Sequence, residues 1–95
     1  MTYIIQQLVK NKLNTLTTDE LLRYAHEYQF SLTKLEAEQI LFVIQTENLD
    51  PFQASHRRRF FQKLEEITDL QTAKNAENLL YRLVEKYGLS HLLEQ

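Results

Sequence analysis

The densest run of residues able to do chemistry is His56-Arg57-Arg58-Arg59-Phe60-Phe61, followed by Lys63. Basic side chains beside aromatic rings can contact phosphates and stack on bases, the combination used by single-strand binders. On a helix, however, each residue turns by about 100°, so three consecutive arginines fan over about 200° and cannot make one flat patch. Phe60 and Phe61 suit a core, and Glu65 and Glu66 follow within two turns and neutralise much of the local field. The run therefore reads first as a solvated face with ion pairs. Contact with nucleic acid, another anion or an acidic protein through Arg57, Arg58, Arg59 and Lys63 stays open beside it.

The remaining candidates are weaker. His26, His56 and His91 fall on different predicted elements, and position 30 is Phe30, so His26-Glu27 does not begin a His-Glu-x-x-His zinc motif. His56 lies on an apolar stripe, as a half-buried residue at the edge of a core would. One glycine in the chain rules out a glycine-rich phosphate loop. The pairs Glu36/Glu38 and Glu65/Glu66 look like caps and solvated faces, and Ser31, Ser55 and Ser90 have no His and acid at informative positions. Tyr24, Tyr28, Tyr81 and Tyr87 lie on predicted helices, where packing at the core edge accounts for them. No cofactor or metal is expected, and the chain is not expected to be an enzyme.

The elements that position these residues follow from composition. Ninety-five residues suffice for one core, so residues 1–95 are expected to form a single helical domain. An apolar share of 43% with 25% charged residues is ordinary for a soluble globular chain. A single Gly and a single Pro leave little material for the tight turns of a strand-rich fold, so a few long helices are expected. The net charge of −2 and pI of about 5.9 give no global pull toward nucleic acid or anionic membrane. There is no cysteine, hence neither disulfide nor thiolate chemistry. The N-terminus lacks the pattern of a signal peptide, and no apolar run approaches a membrane span, so a cytoplasmic protein is expected.

Four helix starts are written as capping signals. Thr17 with Glu20, and Thr33 with Glu36, have the spacing of a capping box, each preceded by an apolar residue. Asp50-Pro51-Phe52-Gln53 is a third start, with Pro51 at the first helical position. Thr68 with Gln71 is a fourth, although Asp69 can equally be the cap. The spacing predicts helices over residues 3–13, about Thr18–Gln29, Thr33–Thr46, Pro51–Ile67 and Asp69–Tyr87, the last ending at Gly88, with a further short turn near Ser90-His91-Leu92-Leu93. The first helix is expected to bury Ile4, Ile5, Leu8, Val9 and Leu13 and to turn Gln6, Lys10 and Asn11 outward. The second is expected to bury Leu21, Leu22, Ala25 and Tyr28. The intervals between starts differ (16, 17 and 18 residues) and the interiors do not match, so this is not a repeat protein.

The middle helix carries Ile40-Leu41-Phe42-Val43-Ile44, the longest unbroken apolar run, and is expected to be the hub of the bundle. If Phe42 is fully buried, Phe42→Ala should cost roughly 3–5 kcal/mol through cavity formation. If it is exposed, the most apolar helix has a free face, and Phe42 rather than the arginines marks a partner site. The last helix offers a second surface: Ala73, Ala76, Leu80, Leu83 and Tyr87 step by 3, 4, 3 and 4, a two-heptad seam opened by small alanines. Such a face, widened by Leu79 and Val84, can cover its own core, seal a homodimer or receive a partner helix.

Taken together, Asn14-Thr15-Leu16-Thr17-Thr18-Asp19-Glu20-Leu21-Leu22-Arg23-Tyr24-Ala25, Tyr28-Gln29-Phe30-Ser31-Leu32-Thr33 and Glu36-Ala37-Glu38-Gln39-Ile40 resemble the YqfT-like family of small proteins from Bacillus-type Gram-positive bacteria. Asn48-Leu49-Asp50-Pro51-Phe52, the Arg58-Arg59 region and Ile67-Thr68-Asp69-Leu70-Gln71-Thr72-Ala73 continue the likeness, which spans about residues 3–84. The tail after Tyr81 departs from it, running on to Gln95. The resemblance implies a helical cytoplasmic protein of uncharacterised function and supplies no catalytic residue. The expectation is an all-α bundle of about five helices acting as a non-enzymatic interaction or regulatory module, with homodimerisation or another protein as partner. Contact with nucleic-acid phosphates through Arg57–Arg59 is the alternative.

Overall fold

The computed structural model describes residues 2–94. Five α-helices follow one another: α1 (Thr2–Thr15), α2 (Thr18–Glu27), α3 (Lys34–Thr46), α4 (Ala54–Ile67) and α5 (Leu70–Lys86), and a 3-10 turn (Ser90–Glu94) closes the chain. Among the described residues there is no strand. Among the same residues no helix is long and apolar enough to cross a membrane. The bundle measures 36 × 24 × 24 Å. Helix α3 sits in the middle, packed against α1, α2 and α4, while α5 lies along α4 and holds the C-terminal turn.

The helix starts show how the sequence sets this architecture. Thr17 and Thr33 each take up extended backbone and accept the amide N–H of Glu20 and Glu36, whose carboxylates accept the cap residue's own N–H in return. Both are complete capping boxes. The other two starts differ from the pattern. Asp69, not Thr68, caps α5, accepting the Thr72 N–H at 2.7 Å, while the Thr68 hydroxyl turns back and donates to the Leu64 carbonyl at 2.6 Å. The fourth helix begins at Ala54 rather than Pro51. Asp50 accepts the Phe52 N–H at 3.0 Å and the Gln53 N–H donates to the Asp50 carbonyl at 3.2 Å. A tight turn is thereby closed before the helix starts, because the Asp side chain offers the backbone an alternative to helical bonding.

Helix ends follow one recipe three times. At Gln29-Phe30, Asn48-Leu49 and Gly88-Leu89 the first residue has positive φ (65°, 48° and 68°). The second returns its N–H to the carbonyl of Ala25, Ile44 and Val84 respectively. These are Schellman closures, each followed by an apolar residue that turns inward. Only the one containing glycine is signalled by composition. The closure at Gln29 ends α2 two residues early and leaves Tyr28, expected in the core, 46% exposed.

The core is formed by Leu16, Ile40, Leu41, Ile44, Leu49, Leu64 and Ala73. Three of these come from the central apolar run, so α3 is the hub. Phe42 is not part of it: the residue is 69% exposed. The reason is rotation. At about 100° per residue, Phe42 points about 150° away from the mean direction of Ile40, Leu41 and Ile44, so a core on one side must leave it on the other. Helix α1 is rotated relative to expectation as well. Ile4 and Leu8 are exposed, at 57% and 63%, while Gln6 turns inward with its amide nitrogen buried and without a hydrogen-bond partner among the described residues.

Candidate functional site: an apolar groove between α3 and α4

The outer face of α3 presents Leu35 and Phe42, 64% and 69% exposed and two helical turns apart. With Val43 next to Phe42 and Ile67 on α4, they line an open groove of about 390 Å³, together with Glu38, Gln39, Lys63 and Glu66. The opposite face of the same helix buries Ala37, Ile40, Leu41 and Ile44. Glu38, Gln39, Gln45 and Thr46 share the exposed side of the helix, so Leu35 and Phe42 stand out on it as large apolar residues in water. Exposed large apolar side chains scattered singly need no explanation, but two aligned on one face and walled by a neighbouring helix form a patch of the kind used for association.

The arginine run is dispersed by its helix. Arg57 is half-buried and donates to two backbone carbonyls, Pro51 at 3.0 Å and Leu93 at 2.7 Å, clasping the C-terminal turn to the corner before α4. Arg59 donates to Glu47 at 3.3 Å, and Lys63 lies 3.9 Å from the other oxygen of the same carboxylate. Arg58 is exposed and, among the described residues, makes no ion pair. Arg57 is thus held at the C-terminal turn and Arg59 and Lys63 at Glu47, with Arg58 apart from both, so the four do not line up as one phosphate-tracking surface. His56 is half-buried and its Nδ1 accepts the Asp50 N–H at 3.0 Å. His26 and His91 are exposed on α2 and the C-terminal turn.

The heptad seam on α5 is divided in a similar way. Ala73 is buried in the core and Ala76 packs against it, Leu80 and Leu83 are half-buried, and Tyr87 is 66% exposed. The small alanines serve the close approach of α5 to α4 within the chain. A second molecule cannot use Ala73 and Ala76 without opening that core, so the five positions do not form one free seam.

Electrostatics at the α1–α2 corner come from a single carboxylate. Glu20 accepts a hydrogen bond from Lys12 Nζ at 2.7 Å and from the Thr17 N–H at 3.1 Å. The Lys12 bond first, then the Thr17 backbone bond, hold its carboxyl down at about 2. The same pairing raises the Lys12 ammonium above its ordinary range. Asp69 is also lowered, chiefly by the Thr72 N–H it caps.

The sequence singles out Phe42 with its burial left open and a partner site as the exposed alternative, and it is the exposure that is realised here; it gives no such notice of Leu35. The usable signal was angular: Leu35 and Phe42 fall within about 20° of one another on a helical wheel, opposite the buried residues.

The fold and the groove define a small all-α protein with an open apolar cleft on its central helix. The chain belongs to a family of proteins of unknown function (DUF2624), whose sequence model matches residues 1–84. It is similar to the uncharacterized protein YqfT of Bacillus subtilis (strain 168), with 32% identity over 76 residues that cover 80% of this chain and 90% of that protein. No solved structure matched. The C-terminal turn, Ser90–Glu94, lies beyond the family match, yet Leu92 within it is among the most buried side chains, at 1% exposure.

Proposed function

We propose that this protein is a small non-enzymatic interaction module whose working surface is the α3–α4 groove, receiving an apolar helix of a protein partner. One observation carries the proposal: Phe42 and Leu35 stand exposed on the helix whose other face builds the core. An aromatic anchor with aliphatic residues beside it and charged residues in the lining gives a partner helix both apolar and polar contacts. The same proposal takes the protein to act in the cytoplasm, as the family resemblance implies; imaging a fluorescently tagged chain in a Bacillus-type host would check it.

A photo-crosslinking residue placed at Phe42, compared with one at exposed Gln71, tests the surface. A defined crosslinked protein band at position 42, absent at position 71 and lost on Leu35→Asp, is the expected result. Equal crosslinking at both positions would remove the groove from consideration.

A further inference from the structure

We infer that His56 is a proton-operated latch: the neutral imidazole holds the corner before α4 and, with Arg57, the C-terminal turn, and protonation of the ring releases both. This device stands apart from the groove and does not depend on it. One hydrogen bond carries the inference: His56, half-buried in the first turn of α4, accepts the Asp50 N–H on Nδ1 at 3.0 Å. A ring nitrogen that accepts cannot also carry a proton, so the bond requires the neutral tautomer with its hydrogen on Nε2. Turned over, the ring would set Cδ2 against the same N–H and the bond would be lost, so no other tautomer fits. Protonation places a second hydrogen between the two nitrogens, and the bond must break.

The corner has few other fastenings to α4. No side chain caps the helix at Gln53. Asp50 folds the corner on itself, its carboxylate accepting the Phe52 N–H at 3.0 Å and the Gln53 side-chain amide at 3.1 Å. Side-chain ties from α4 come from His56 and from Arg57, which donates to the Pro51 carbonyl at 3.0 Å and to the Leu93 carbonyl at 2.7 Å. When the Asp50 end swings away, Arg57 loses an acceptor and the turn loses its clasp. The seats of Phe52 and Leu92, 5% and 1% exposed, then open together.

The surrounding charges do not absorb the new proton. Asp50 is the carboxylate on the corner, and both its oxygens already accept. Glu47, the last cap of α3, is held by Arg59 and Lys63. On the end of α5 that lies beside the start of α4, Glu85, Lys86 and Tyr87 are exposed, as is His91 on the C-terminal turn. Arg57 adds a permanent positive charge at the adjoining position, which disfavours a second one beside it. Histidine is the side chain that changes charge between about pH 5 and 8. The folded corner favours the neutral ring, so its contribution is present above that range and lost as pH falls through it. Glu20, held at about 2, responds far lower, so the two effects separate.

Native-state hydrogen exchange on the full chain between about pH 8 and about pH 5 tests the latch, with protection factors referred to the intrinsic rate at each pH. Protection of the Asp50, Phe52, Gln53 and Leu92 amides should fall together by roughly tenfold. Nitrogen NMR signals of the His56 ring at about pH 8 should report an unprotonated Nδ1, a readout that a merely space-filling ring would not give. In His56→Asn the shorter amide offers an acceptor near the place of Nδ1 and does not titrate, so protection should no longer follow pH. His26→Asn, which replaces an exposed ring, should keep the native response. A His56 Nδ1 that carries the proton at the upper pH overturns the inference. So does protection that is flat with pH in the native chain, or that follows pH equally in His56→Asn. A fall confined to residues 50–53 overturns the coupling to the C-terminal turn. Protection that rises as pH falls shows a protonated His56 paired with Asp50, a lock in place of a latch, and overturns the inference as well. If His56→Asn does not fold, the exchange and the ring signals of the native chain decide alone.

Discussion

Phe42 and Ile40 are two residues apart, yet truncation to alanine should be felt at only one of them. Ile40→Ala opens a cavity in the centre of the core and is expected to cost about 2–5 kcal/mol in urea denaturation. Phe42→Ala removes a side chain already in water and should change stability by no more than about 0.5 kcal/mol. The difference was not legible in the run Ile40–Ile44 itself, where all five residues are apolar and which of them face inward depends on the helices that pack around them. Glu20 gives a second residue-scale expectation. Its carboxyl lies at about 2 in the folded chain against an ordinary 4.5. A depressed folded value contributes stability that is present above the unfolded value and lost as pH falls through the folded one. Stability should therefore decline between about pH 5 and pH 2, with Asp69 contributing in the same direction. Glu20→Gln should be less stable than the native chain at pH 7, and thermal melts of the two should converge near pH 2.

At the scale of the helix, starts were far more legible than ends. A capping box needs a hydroxyl and a carboxylate at fixed spacing, and both Thr17/Glu20 and Thr33/Glu36 close as read. A Schellman end needs only a residue able to hold positive φ, and two of the three here use Asn48, a weak mark, and Gln29, which carries none. Glutamine pays a steric penalty in the left-handed region that glycine does not. Gln29→Gly is accordingly expected to raise stability by about 0.5–1 kcal/mol, measurable as a higher melting temperature. Asn48 tolerates the region better and should gain less from the same change. Helix α4 shows where a start signal can mislead. Asp50-Pro51 reads as cap and first turn, but Asp50 spends its side chain on a turn that includes Phe52, and this buries Phe52 ahead of the helix.

Across the whole molecule, the all-α class follows from one glycine, one proline and the cap signals, because strand-rich folds of this size usually need many more turn residues. The surfaces did not follow. Ala73 and Ala76 have the spacing of an intermolecular seam, and the same spacing serves intramolecular packing of α5 on α4 equally well. The arginine run is dense in the sequence and divided in space, since a helix distributes neighbours around its axis. With a net charge of −2 and its cations committed separately, the protein should bind a DNA duplex weakly. The little binding present at low salt should fall no more steeply for the native chain than for Arg58→Ala, read by fluorescence anisotropy across salt concentrations.

The clasp made by Arg57 bears on how this protein breathes. One guanidinium ties the corner before α4 to the turn that seats Leu92, two segments separated by the whole of α4 and α5. Release of either end leaves a permanently charged group in a half-buried place, so the two segments should open together as one cooperative unit and not fray independently. Native-state hydrogen exchange can see this. The amides of Leu89 and Leu92, which donate to Val84 and Leu89, should exchange with the same opening free energy as Gln53 in the distant corner. In Arg57→Met that shared value should split, with the C-terminal amides exchanging first.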